Sequence, residues 1–164
     1  KENLIGTDGR GFILAMKTLN AGRLGLGAAC IGAAKELLEL STKFAKQRKQ
    51  FDQAISNFQA VQFMLADMAT LIYSMESIAY RTAVDYDAKK EVGRTSAIVK
   101  VFCSESLDKI ADYAVQIHGG MGYSRELPIE RYYRDSRINR IFEGTSEIQN
   151  GIIAREVLKK NGVL

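Results

Sequence analysis

From about Phe12 to Lys46 the apolar residues Ile13, Met16, Leu24, Ile31, Leu37, Leu38 and Phe44 recur at the spacing of one helix face. Gly22, Gly25, Gly27 and Gly32 weaken that helix locally and point to close packing against a neighbour or a ligand. The polar stretch Lys46 to Asn57 breaks the pattern. Ser56-Asn57-Phe58-Gln59 then reads as a capping box opening a second long helix, to about Ala88. The charged segment Asp85 to Arg94 predicts a turn. A third helix follows from about Thr95 to Ile117, carrying Ile98, Val101, Phe102, Leu107, Ile110 and Ala114, and Gly119-Gly120 stops it. Pro128 opens a short helix near Arg131 to Asp135, and a last helix runs from Ser146 to Lys160 before Asn161-Gly162. No segment alternates with period two over a useful length. The expected fold is all-α: an antiparallel four-helix up-and-down bundle with an extra short helix.

Composition agrees. A single proline in 164 residues leaves long helices unobstructed. The 46% hydrophobic and 26% charged content is that of a globular domain large enough to bury a core. No apolar run reaches the ~18 residues of a membrane span. A net charge of +4 permits anionic ligands without indicating nucleic acid. Cys30 and Cys103 sit in apolar helical surroundings without CxxC spacing, which suits buried free thiols and not a disulfide or a metal site. Gly6, Gly9 and Gly11 read as a linker, so residues 1–11 are expected to lead into one helical domain, 12–164.

Candidate chemistry gathers in a few places. Phe142 to Gln149 sets Glu143 beside Gly144, just before a helix that opens Thr145-Ser146-Glu147. Glycine admits a ligand close to the backbone, and a helix start offers unpaired N–H groups to an anion. A carboxylate there can act as a base, or it is merely the neighbour of an ordinary helix cap. Gln116 to Tyr123 carries Gly119, Gly120 and Gly122 directly after a helix, more glycine than one C-cap needs, which suits backbone lying against a ligand. The basic run Lys43 to Lys49 offers cations to a helix C-terminus, with a phosphate contact from Arg48 as the alternative. Gly25-Leu26-Gly27 follows no strand, and Cys30 stands where a dinucleotide loop has its third glycine. His118 is the only histidine, which argues against a ferritin-like metal site and a Ser-His-Asp triad.

Taken in order, Arg48 to Phe51, Gln59, Phe63 to Met68, Gln116 to Tyr123, Tyr133 to Ile138 and Ile141 to Gln149 resemble the C-terminal helical domain of the acyl-CoA dehydrogenase family. The resemblance runs the whole length of the chain, and residues 1–11 are similar to the exit from that family's middle β domain. It implies an FAD-dependent enzyme that desaturates acyl-CoA thioesters at the α,β position. Glu143 matches the base that removes the α-proton while the β-hydrogen leaves as hydride to flavin N5. Its backbone N–H matches a donor to the thioester carbonyl, and Gly144 leaves room for substrate.

The resemblance further implies that Arg48, Phe51 and Gln59 contact flavin on one subunit. Gln116, Ile117, His118, Gly119 and Gly120 reach the FAD of a neighbouring subunit, and Thr145, Ser146 and Glu147 lie beside the cofactor. Asn20, Ala21, Gly22 and Arg23 match the segment that contacts the CoA part; an interhelical salt bridge is the other reading of Arg23. Some family members carry their base at the position of Gly22, so glycine there favours Glu143 as the sole base. Arg134, Asp135 and Arg137 read as structural ion pairs, and Met64, Leu65 and Met68 as core. Gln50 stands where a small hydroxyl residue is common, Asn20 where Asp is common and Phe142 where Tyr is common; the last two lean toward very-long-chain relatives. Implied partners are an electron-transfer flavoprotein as acceptor and further copies of the chain, as a dimer or tetramer. The implied location is the cytoplasm of a bacterium or the mitochondrial matrix. The alternative is a non-redox helical assembly module that has lost turnover.

Overall fold

The computed structural model describes residues 3–160; the expected stop at Asn161-Gly162 lies outside them. The major helices are α1 (Gly11–Gln47), α2 (Gln59–Asp87) and α3 (Gly93–His118), followed by short α4 (Gly120–Tyr123) and α5 (Ile129–Ser136), then α6 (Ser146–Lys160). A two-residue hairpin, β1 (Lys49–Gln50) and β2 (Gln53–Ala54), joins α1 to α2. Sequence periodicity carries no trace of it, because two residues are too few to alternate. Phe51 and Asp52 form its turn, both left-handed at φ 50° and 62°, as a type I′ turn requires.

The up-down-up-down sense of the long helices is as expected, but the packing is not that of a closed four-membered ring. α3 is the hub, packed on α1, α2, α5 and α6. α1 and α3 run parallel and side by side: Asn20 lies by Gly93, Gly27 by Val99, and Phe44 stacks on His118. Gly27, Cys30 and Ala34 make the α1 face of that seam, buried and small, and a Cβ on Gly27 would clash with Val99. α2 returns antiparallel, tied by the Lys35–Glu76 ion pair and by a 3.0 Å hydrogen bond from Tyr113 to Asp67. α6 runs antiparallel on α3, with Ser146 donating to Glu105 at 2.8 Å.

Being surrounded, α3 is buried on nearly every side. Its core residues are Ala97, Val99, Cys103, Leu107, Ile110, Ala111, Ala114 and Ile117, while the expected Ile98, Val101 and Phe102 are only partly covered. Met68 is core, and Met64 and Leu65 pack partly buried against it. Ile13 and Met16, near the start of α1, are exposed. The capping box at Ser56 does not form. Phe58 is the N-cap of α2 without a side-chain bond, Ser56 sits in a 3-10 turn, and Gln62 instead donates to the Ser56 carbonyl at 2.9 Å. Cys30 and Cys103 are free and buried, and burial pushes both thiols up to about 12. No described helix is long and apolar enough to cross a membrane.

Candidate active site

The turn before α6 is backbone that few sequences tolerate. Glu143 is left-handed at φ 59° and Gly144 at 94°. Such a conformation in a residue with a Cβ is held only where its surroundings over-determine it. Here two donors converge on the Glu143 carbonyl: Arg23 Nε at 3.3 Å from α1 and Gln149 Nε2 at 3.1 Å from α6. Arg23 is 5% exposed and its Nη1 also donates to Asn20 Oδ1 at 3.2 Å. Burial pulls the Arg23 pKa below its usual value, and the Glu143 carboxylate partly offsets this. Arg23 is therefore a clamp on the turn that carries Glu143, and among the described residues it makes no interhelical salt bridge. Gly144 is required twice over, by its φ and because a Cβ there would strike Gln149.

The Glu143 side chain lies flat on Gly22. A Cβ built on Gly22 would stand 2.7 Å from Oε2 and 2.9 Å from Oε1. Oε2 is shielded and has no hydrogen-bond partner, and among the described residues no acceptor meets the Glu143 N–H. Side-chain acceptor and main-chain donor are thus both left without a partner among the described residues. Gly22 and Gly27 justify the expectation of close approach along α1, whereas Gly25 and Gly32 meet nothing within 4 Å.

At the start of α6, Thr145 is the cap: its Oγ1 accepts from the Ile148 N–H at 3.4 Å. Ser146 is buried with its hydroxyl turned inward to Glu105, so its backbone alone remains for a ligand. Glu147 is exposed, and its own backbone N–H together with Thr145 holds its carboxyl below the usual range. Beneath this turn lies Lys100, 1% exposed, with no hydrogen-bond partner for Nζ and a pKa lowered by burial. Its charged neighbours are Glu105, Glu147 and Arg23. The ion pairs here are Arg134–Glu130 and Arg140 with Glu105 and Asp108, so the expected structural role holds for Arg134, while Arg140 stands where Arg137 was expected.

A second feature lies at the opposite end. A cleft of about 700 Å³ opens between the end of α1, the hairpin, α2 and the α3–α4 junction. Arg48 and Phe51 line it together with Gln116, Ile117, His118, Gly119 and Gly120. The resemblance divided these residues between two flavins; the structure gathers them into one cleft of one chain. Gln59 is exposed at the first turn of α2 and does not line it. Gln50 joins them, and Phe44, Ile55, Phe58, Val61, Met64 and Met121, which were not foreseen as wall, complete it. An apolar, aromatic cleft with one guanidinium and exposed glycine backbone fits the nucleotide end of FAD. Along α1, Gly22 and Phe44 are 22 residues apart, which at roughly 1.5 Å per residue is about 33 Å. The cleft and Glu143 therefore lie at opposite ends of α1.

Residues 9–158 match the family model described as acyl-CoA dehydrogenase, C-terminal domain. The chain belongs to the acyl-CoA dehydrogenase family. It is 45% identical to the CarC subunit of the caffeyl-CoA reductase–Etf complex of Acetobacterium woodii, over 98% of this chain and 42% of that protein. It is 45% identical to the mitochondrial short-chain specific acyl-CoA dehydrogenase of Mus musculus, over 97% of this chain and 39% of the enzyme. The structure of butyryl-CoA dehydrogenase from Megasphaera elsdenii superposes with a TM-score of 0.94 at 38% identity, covering 96% of this chain and 41% of that one. The chain thus spans about two fifths of these relatives. None of the three is a very-long-chain enzyme, so the lean read from Asn20 and Phe142 gains no support from them.

Proposed function

We propose that this domain supplies the catalytic base and two partial ligand surfaces of an FAD-dependent acyl-CoA dehydrogenase, with residues 1–11 leading in from a preceding domain. The observation that carries the proposal is the Glu143 carboxylate, held on a strained turn by Arg23 and Gln149, resting on Gly22 with Oε2 unpartnered. Glu143 takes the α-proton of the thioester, and its own N–H donates to the thioester carbonyl as negative charge develops there. Asn20, Ala21, Gly22 and Gly144 would line the substrate side, with Arg23 buried behind them as the clamp. Bound FAD would supply the two-electron acceptor for the β-hydride.

The separation of the base from the cleft supports a homo-oligomer: Arg48, Phe51 and Gln116 to Gly120 would hold the nucleotide end of a flavin whose reactive ring lies by another copy's Glu143. The outer face of α2 carries exposed Phe63, Tyr73, Tyr80 and Val84 at helical spacing, which suits contact between copies. An electron-transfer flavoprotein is the proposed acceptor, in line with the Etf-complex relative. A second direction, reduction of an enoyl-CoA with Glu143 returning the α-proton, is favoured by the caffeyl-CoA reductase relative. The non-redox module is not favoured, since Glu143 and its clamps are intact. The test is anaerobic mixing of the full-length protein with acyl-CoAs of graded chain length while flavin bleaching is followed. Glu143→Gln is expected to lose bleaching by ~10³-fold or more, the range of a general base combined with positioning; a variant that bleached at the wild-type rate would remove Glu143 from the mechanism.

A further inference from the structure

The turn that carries Glu143 is not closed by its own backbone. Upstream, the Ile141 and Phe142 N–H groups both donate to the Ile138 carbonyl, and downstream the Gln149 N–H donates to the Thr145 carbonyl. Among the described residues no backbone hydrogen bond crosses from one side of Glu143 to the other. Apolar packing offers little in its place, because Ile141 and Phe142 are 47% and 45% exposed. Arg23 and Gln149 grip the Glu143 carbonyl in the middle, which leaves the span between the two ends of the turn to be set by something else.

One carboxylate oxygen meets both ends. Glu105, on α3, accepts the Ser146 hydroxyl on Oε1 at 2.8 Å, at the first residue of α6. Arg140, the last residue of the 3-10 turn Arg137–Arg140, brings Nε to 2.8 Å from the same Oε1. That second contact is an ion pair by distance, with its N–H not aligned for a hydrogen bond. Arg140 Nη1 donates instead to Asp108 Oδ2 at 3.2 Å, one turn further along α3. Glu105 thus straddles the turn from Arg140 to Ser146. Its footing is firm, since Ser104 and Ser106 on either side are buried and α3 is the hub of the domain. The Arg140 and Glu105 side chains are 35% and 38% exposed, and an ion pair so exposed contributes little to stability. The consequence is geometric. A left-handed Glu143 persists only while its surroundings over-determine it, so a staple across the ends of its turn bears on where the carboxylate stands.

Resting on the proposed function, we infer that Glu105 is a positioning residue for the reaction: by holding Arg140 and Ser146 on one oxygen it fixes the span of the turn, and with it the place of the Glu143 carboxylate. Glu105 acts through these two residues and takes no part in proton transfer. What the staple requires is an acceptor oxygen, since both neighbours are donors. Without it the turn relaxes and the base stands off the α-carbon, which slows the chemical step and leaves ground-state binding as it was.

The test uses the full-length flavoprotein, with anaerobic bleaching followed at graded concentrations of whichever acyl-CoA bleaches wild type fastest. Glu105→Ala is expected to slow bleaching at saturating acyl-CoA by ~10- to 100-fold, the range for a reacting group displaced by up to about 1 Å. Half-saturation, flavin content and melting temperature should change little. Glu105→Gln keeps an acceptor oxygen and should recover most of the rate. Ser146→Ala removes only the hydroxyl and should be slowed less than Glu105→Ala; the double variant should be no slower than Glu105→Ala, because both changes open the same staple. Glu105→Ala that bleaches at the wild-type rate would overturn the inference, as would a rate loss that comes with lost flavin or weaker half-saturation. Glu105→Gln as slow as Glu105→Ala would assign the effect to charge and overturn it too. Ser146→Ala at the full rate would do the same, whether or not Glu105→Ala folds. Glu143→Gln, run alongside, separates the two readings: at the wild-type rate it removes the proposed function, whereas a slow Glu143→Gln beside a full-rate Glu105→Ala removes this inference alone.

Discussion

Gly22→Ala separates what α1 gains as a helix from what the base loses as a catalyst. The added Cβ would stand 2.7 Å from Glu143 Oε2 and 2.9 Å from Oε1, against an ordinary carbon–oxygen contact of roughly 3.4 Å. The carboxylate must therefore retreat by about half an ångström or rotate away, which it can do because it is the end of a flexible side chain. Exchanging Gly for Ala within a helix contributes up to about 1 kcal/mol of stability. A displacement approaching 1 Å of a reacting group can cost ~10²-fold in rate. The expected variant is as stable as wild type or slightly more so, retains its flavin, and bleaches with saturating acyl-CoA ~10- to 100-fold more slowly. Thermal melts and stopped-flow bleaching read the two halves separately. Bleaching at the wild-type rate would mean that the carboxylate seated on Gly22 is not in its working position.

Two further substitutions test stability. Asp52→Gly at the hairpin turn, where φ is 62°, should raise the melting temperature by the equivalent of about 0.5–1 kcal/mol, since glycine takes that backbone without strain; an unchanged or lower melt would contradict it. Lys100→Met should be neutral or stabilising at pH 7 because it removes a buried cation with no hydrogen-bond partner. Burial lowers the Lys100 pKa in the folded state, so folding disfavours the charged form. Wild-type stability should therefore gain on Lys100→Met as pH rises from the folded-state pKa toward lysine's ordinary value. Chemical denaturation across alkaline pH checks this, and a constant gap between the two proteins would refute it.

Helix positions were legible because the apolar spacing is long and uninterrupted; α1, α2 and α3 begin and end within two residues of their expected bounds, and α6 begins at Ser146 as expected. What was not legible depends on who packs against whom. Of the stripe expected on α3, Leu107, Ile110 and Ala114 are core, but Ile98, Val101 and Phe102 give way to Val99, Cys103 and Ala111 because α3 is surrounded, and a surrounded helix has no polar face to mark its orientation. Lys100 is buried on the same helix for the same reason. Gln149 gave no local sign that it would clamp the Glu143 carbonyl six residues earlier, although a polar residue on the inward face of α6 is the one signal that could have found it.

The site itself was half legible. Glu143, Gly144 and Thr145 stood out because acid, glycine and cap are adjacent in sequence. The cleft did not, because its walls come from four separate segments. The seam between α1 and α3 connects the two. Its small residues bring two parallel helices close enough that a Cβ at Gly27 has no room, so the pair behaves as a rod and not as a hinge. A rod of fixed length sets Glu143 at one end and the Arg48–His118 cleft at the other, about 33 Å apart along α1. Under the proposed function neither end is a whole site: one would supply the base, the other a surface for the nucleotide. On the same proposal, a spacer between complementary half-sites calls for another copy across from it, and the seam that stabilises the domain would then set the geometry of that assembly.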